Sequence, residues 1–159
     1  MRSTKRAAVS ATFSTTIRIA ATPAQVFWFL ADPKTASVID PAVVSYEPDG
    51  GTIGLGIKNH IRMKLLGVPL RLTSETVEWE PGSKMVFRSI KPGRPAIGIA
   101  THLFEACPEG TDYTWSMQFV RTGVGGRLMS TISTALFKRN AIAQQQRVRV
   151  VIEAAVRPH

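Results

Sequence analysis

Apolar and polar residues alternate from Phe13 onward: Phe13, Thr15, Ile17 and Ile19 share one side of an extended segment, and Ser14, Thr16 and Arg18 the other. A period of two marks a half-buried strand. The alternation stops at Thr22-Pro23-Ala24-Gln25. Thr22 can cap a helix, Pro23 suits its first turn, and Gln25 completes a reciprocal capping box. Val26, Phe29 and Leu30 then follow at helical spacing up to Asp32-Pro33, where a second short helix can start and run toward Asp40-Pro41.

Six more extended runs follow, Val43–Glu47, Ile53–Leu66, Leu70–Trp79, Lys84–Ile90, Ile97–Ala106 and Tyr113–Arg121. Pro48-Asp49-Gly50-Gly51, Gly67-Val68-Pro69, Glu80-Pro81-Gly82-Ser83 and Pro108–Thr111 supply turn chemistry between them. Within Ile53–Leu66, the residues Leu55, Ile57, Ile61, Met63 and Leu65 fall on one face. Lys58, His60, Arg62 and Lys64 fall on the other. Consecutive strands with short turns predict an antiparallel meander. From Arg127 to Val156 there is neither proline nor glycine, which predicts a helix about 45 Å long. Projected at helical spacing, Met129, Ile132, Leu136, Ala143, Val150, Val151 and Ala154 share an arc that Asn140 and Arg147 interrupt. The order predicts an α+β fold, a seven-stranded curved antiparallel sheet around one long C-terminal helix, with two short helices after the first strand. Residues 1–12 read as a flexible basic leader and 13–159 as one domain.

Several stretches carry a resemblance. They are Thr16 to Phe27 continuing to Asp32-Pro33, the Trp79-Glu80-Pro81-Gly82 turn before Met85–Ser89, the Pro108–Thr111 hairpin, and the terminal amphipathic helix. Together, over about Phe13 to Ala155, the chain resembles the START-like superfamily, also called SRPBCC or the polyketide cyclase/dehydrase and lipid-transport family. That resemblance implies a helix-grip fold with a cavity between sheet and helix. Members bind lipids, sterols, polyketides or hormones there, and some cyclise or aromatise polyketides. The resemblance brings no invariant catalytic set.

Composition narrows the function. The 159 residues are 44% hydrophobic and 19% charged, which suits one domain with a sizeable core. The net charge of +9 is uneven: +4 over residues 1–18, −1 over 19–120 and +6 over 121–159. No apolar run reaches the ~18 residues of a membrane span, and no apolar region follows the basic start, so the chain reads as cytoplasmic. Cys107 is the single cysteine, and His60, His102 and His159 lack metal-ligand spacing. No metal and no cofactor are expected. Gly123-Val124-Gly125-Gly126 imitates a dinucleotide turn but lacks the third glycine and a following parallel strand. Nucleic acid is not expected as a partner, because no helix-turn-helix or zinc pattern accompanies the charge. Transient contact with an anionic membrane, through the leader and the terminal helix, suits the basic ends. Oligomeric state is not encoded in any pattern here.

The candidate pocket comprises Phe27, Met63, Phe87, Trp115, Met117, Phe119, Met129 and Leu136 as apolar wall, a composition suited to an adaptable ligand site. Asn59, Asn140 and Arg147 are candidate polar anchors, since each interrupts an apolar face. His102 is a candidate general base and Arg88 a candidate for orienting an acid group. The expected function is binding, or transport, of a small hydrophobic or amphipathic molecule such as a lipid or polyketide. The alternative is a polyketide cyclase or aromatase acting in the same cavity. Access is expected through the loops Asp49–Gly56 and Lys91–Gly98.

Overall fold

The hairpin at Pro108-Glu109-Gly110 shows how local chemistry sets the architecture. Gly110 adopts φ 137°, and a Cβ there would sit 2.2 Å from the Ile19 carbonyl oxygen and 2.9 Å from the Ala21 nitrogen. Only glycine lets the two backbones approach this closely. The Thr111 hydroxyl then donates to the Ala21 carbonyl at 2.7 Å. The last hairpin is thereby fastened to the end of the first strand.

The computed structural model describes residues 9–65, 67–90, 97–120 and 126–157, with the side chains of 9–11, 65, 97, 119–120 and 126–137 left aside. The strands are β1 (Val9–Ile19), β2 (Val43–Pro48), β3 (Lys58–Leu65), β4 (Val68–Glu80), β5 (Lys84–Ser89), β6 (Ile97–Cys107) and β7 (Gly110–Val120). The helices are α1 (Pro23–Ala31), α2 (Ala36–Ile39) and α3 (Gly126–Val156). All seven strands form one antiparallel sheet in the order β1-β7-β6-β5-β4-β3-β2. The predicted meander is therefore present as β2–β7, and its last strand, β7, pairs with β1.

Local signals explain the starts and stops. Thr22 and Gln25 form the predicted capping box, with Gln25 N donating to Thr22 Oγ1 at 3.3 Å and Thr22 N donating to Gln25 Oε1 at 2.9 Å. Asp32 stops α1 and caps the next short turn through Lys34 N at 2.9 Å.

Two boundaries differ from the sequence expectation. β1 starts at Val9, so residues 9–12 belong to the sheet rather than to a leader, and 1–8 lie outside the described residues. A register shift between Val9 and Ala11 hid the alternation there. The run beginning at Ile53 becomes strand only at Lys58: Leu55 is exposed, and glycines at 54 and 56 interrupt the ladder.

The core lies between the inner face of β1, β7, β6 and β5, helix α1, and the C-terminal half of α3. Phe13, Ile19, Phe27, Met85, Phe104, Tyr113, Trp115 and Met117 form one buried cluster with Ala141, Val148 and Ile152 of α3. Phe27 is the hub, edge-to-face with Trp79 at 4.9 Å and with Phe104 at 5.4 Å.

The buried stripe of α3 corrects the projection. Ala141, Gln145, Val148 and Ile152 face inward, whereas Ala143, Val150 and Ala154 are exposed. The helix carries apolar residues on two opposite stripes. Hydropathy alone selects the stripe without Gln145, but Gln145 is buried because it pairs twice with β1. Its amide donates to the Thr15 carbonyl at 3.0 Å and its oxygen accepts from the Thr15 hydroxyl at 3.0 Å. Glu153 adds a third tie by accepting from Ala20 N at 2.9 Å.

Candidate functional site

Strand register decides which predicted residues meet. The Cys107–Gly110 hairpin pairs His102 with Trp115 and Phe104 with Tyr113. On the other side, His102 pairs with Met85 of β5. His102 therefore stands in the inner wall, half-buried, among aromatic rings. Phe87 meets it edge-on at 5.6 Å, Tyr113 stacks at 6.0 Å and Trp115 lies tilted at 6.3 Å. Its Nδ1 is 2.8 Å from the Tyr113 hydroxyl, a hydrogen bond whose donor depends on the tautomer. Nε2 has no partner among the described residues.

Burial pushes the His102 imidazole down to about 4, so it is neutral at ordinary pH. Burial also raises the Tyr113 phenol, which keeps its proton. The pair is thus an uncharged donor–acceptor unit in an apolar wall. Tyr113 is the hydrogen-bond partner of His102 that sequence reading missed. The hairpin turn held the clue, because counting outward from it places Phe104, Tyr113, His102 and Trp115 on one face.

A second polar unit lies on the inner face at the other end of the sheet. Asn59 pairs with Ser74 across β3 and β4, and its amide donates to Thr76 Oγ1 at 3.1 Å. Asn59 and Thr76 are fully buried, and Asn59 Oδ1 accepts from nothing among the described residues. A buried acceptor without a donor costs about 1–3 kcal/mol. Tyr46, Ile61, Met63, Leu70 and Leu72 on β2–β4 are half-buried. Pairings of Tyr46 with Ile61, and of Ile61 with Leu72, place this group on the Asn59 face.

The other predicted residues divide clearly. Phe27, Trp115 and Met117 are buried in the core cluster, and Phe87 and Met63 are half-buried on the inner face. Arg88 points the other way: it is exposed and lies 3.3 Å from Glu75, because β5 alternation sends Phe87 inward and Arg88 outward. Asn140 and Arg147 are exposed on α3, away from the buried Ala141–Gln145–Val148–Ile152 stripe, so neither faces the sheet. The side chains of Phe119, Met129 and Leu136, and the Gly123–Gly126 turn, lie outside the described residues. So does most of the predicted access loop 91–98. No group of His, Cys, Asp or Glu with metal-binding geometry occurs among the described residues. No helix among them is long and apolar enough to cross a membrane.

Known proteins share this arrangement. The family model for polyketide cyclase / dehydrase and lipid transport matches residues 10–153. Uncharacterized proteins of Mycobacterium tuberculosis and Mycobacterium bovis are each 32% identical over 114 residues, 66% of this chain and 63% of theirs. The chain thus spans less than two thirds of the length of these curated relatives. A Streptomyces aromatase/cyclase superposes with TM-score 0.77 at 18% identity, covering 92% of this chain and 96% of that one. A Thermus thermophilus protein gives TM-score 0.70 at 18% identity, covering 92% and 100%. At such identities these structures establish the shared fold alone. The seven-stranded helix-grip architecture and the nearly full-length family match lead to one conclusion: this chain belongs to the polyketide cyclase/dehydrase and lipid-transport family.

Proposed function

We propose that the chain binds a small, largely apolar molecule of polyketide or lipid class against the inner face of the sheet, with the His102–Tyr113 pair as its polar contact. One observation carries this reading: a single neutral hydrogen-bonded pair is set into an aromatic wall of Phe87, Tyr113 and Trp115. Apolar walls with few placed polar groups characterise ligand pockets. The half-buried side chains of β2–β4 continue the wall. Carriage of the molecule, rather than storage, belongs to the same reading, as does a cytoplasmic setting, which the free Cys107 suits.

The aromatase/cyclase name of the Streptomyces neighbour favours a second reading, in which His102 removes a proton from a bound polyketide. The imidazole argues against a strong base. Burial holds the His102 imidazole below its ordinary range, so it takes up a proton weakly, and efficient general bases sit near the working pH. Binding therefore takes precedence.

Native mass spectrometry of protein isolated from its own host tests the proposal. A co-purifying lipid or polyketide that His102→Ala and Tyr113→Phe weaken is the expected result. A protein that is empty, and whose melting temperature is unmoved by fatty acid, sterol and aromatic panels, overturns it. Turnover of a polyketide surrogate that His102→Ala abolishes would install the cyclase reading instead.

A further inference from the structure

The outward stripe of α3 has no role in the fold or in the proposed site. It runs Arg139, Ala143, Arg147, Val150 and Ala154, successive steps of four, four, three and four residues along one side of the helix. All five are exposed. Val150 is 65% exposed, and Ile142 on the adjoining flank is 47% exposed. Lys138 and Arg149 stand beside Ile142. The acid on this half of the helix, Glu153, is half-buried, accepting from Ala20 N and pairing with Arg149 at 3.3 Å.

We propose that this face of α3 docks on an anionic lipid bilayer. Apolar side chains flanked by arginines along a surface helix fit the boundary between headgroups and acyl chains: the aliphatic tips enter and the guanidinium groups meet phosphate. Charge excludes the simplest competitor. A two-fold contact between copies of this face would set arginine against arginine. Nucleic acid would reward the arginines but leave Val150 and Ile142 without an apolar environment. The surface lies opposite the stripe that packs on β1, so docking leaves the core undisturbed. It stands independently of any molecule bound against the sheet.

Flotation with vesicles of phosphatidylcholine alone, and of equimolar phosphatidylcholine and phosphatidylglycerol, tests the surface. The full chain floats with the anionic vesicles alone, and high salt releases it. Arg139→Glu/Arg147→Glu lowers partitioning at least about tenfold. Val150→Ser lowers it about threefold. Lys64→Glu/Arg71→Glu makes the same charge change on the outer face of the sheet and leaves partitioning within about twofold. Unchanged melting temperatures confirm that the variants fold. Equal losses in the two charge-reversal pairs overturn the proposal, since net charge would then suffice. So do equal flotation with neutral vesicles, tighter binding to duplex DNA than to anionic vesicles, and a dimer that Arg139→Glu/Arg147→Glu dissolves.

Discussion

The two halves of the sheet obey the same alternation and reach different ends. On β5, β6, β7 and β1 the inward residues Met85, Phe104, Tyr113, Trp115, Met117 and Phe13 are buried in one cluster. On β2, β3 and β4 the inward residues Tyr46, Ile61, Met63, Leu70 and Leu72 stay half-buried. Among the described residues, α1 packs on β6 and β7, α3 packs on β1, and α2 touches β2. One half is thus packed into the core, and the other keeps half-buried apolar side chains, the part of the wall on which the proposed ligand would lie. His102 and Phe87 stand where the halves meet.

Substitutions sharpen this contrast, and the most severe is expected at the hairpin. Gly110→Ala drives a Cβ into the Ile19 carbonyl, and a loss above about 4 kcal/mol in denaturant unfolding is expected. Wild-type stability in that variant would show that the hairpin is not fastened to β1 as described. Phe27→Ala should cost about 3–5 kcal/mol, whereas Met63→Ala on the half-buried side should cost about 1 kcal/mol and weaken ligand binding instead. Equal costs for the two would erase the distinction between the halves.

Gln145→Leu leaves the Thr15 carbonyl without its donor, so chemical denaturation should register about 1–3 kcal/mol. The imidazole makes a pH-dependent contribution. His102 is held at about 4 when folded against about 6.5 when unfolded. Between these values the unfolded chain binds the extra proton. Stability is therefore fully present above about pH 6.5 and falls as the pH drops toward 4. Melting curves across that window should show the decline, and His102→Phe should flatten it. An unchanged slope in that variant would assign acid sensitivity elsewhere. The smallest effect is expected at Arg147→Ala, an exposed position: within about 0.5 kcal/mol in stability, and no change in affinity for a ligand inside the sheet. A large loss of that affinity would return Arg147 to the cavity.

Much of the fold was readable because its signals are local. The Thr22–Gln25 box, the glycine- and proline-rich turns and the period-two strands each declare themselves within a few residues. The orientation of α3 was not readable, because it depends on what β1 presents. Thr15 offers both a hydroxyl and a free carbonyl, and this draws a glutamine inward where hydropathy would send valine. The site was half legible. His102, Phe87 and the outward turn of Arg88 follow from parity, but the Tyr113 partnership needs the hairpin register.

The strand order also constrains how the chain is made. Thr15 pairs with Trp115, and among the described strands β7 is the one neighbour of β1. As the polypeptide leaves the ribosome, β1 and α1 emerge before the other strands and must wait for nearly the whole sheet before they can join it. The intervening hairpins can form early, but the cluster around Phe27 cannot close until β6, β7 and α3 arrive. Such long-range closure is slow. A chain that stalls before Gly110 would present an unpaired β1 edge and an open aromatic face, and it would depend on chaperones until synthesis resumed.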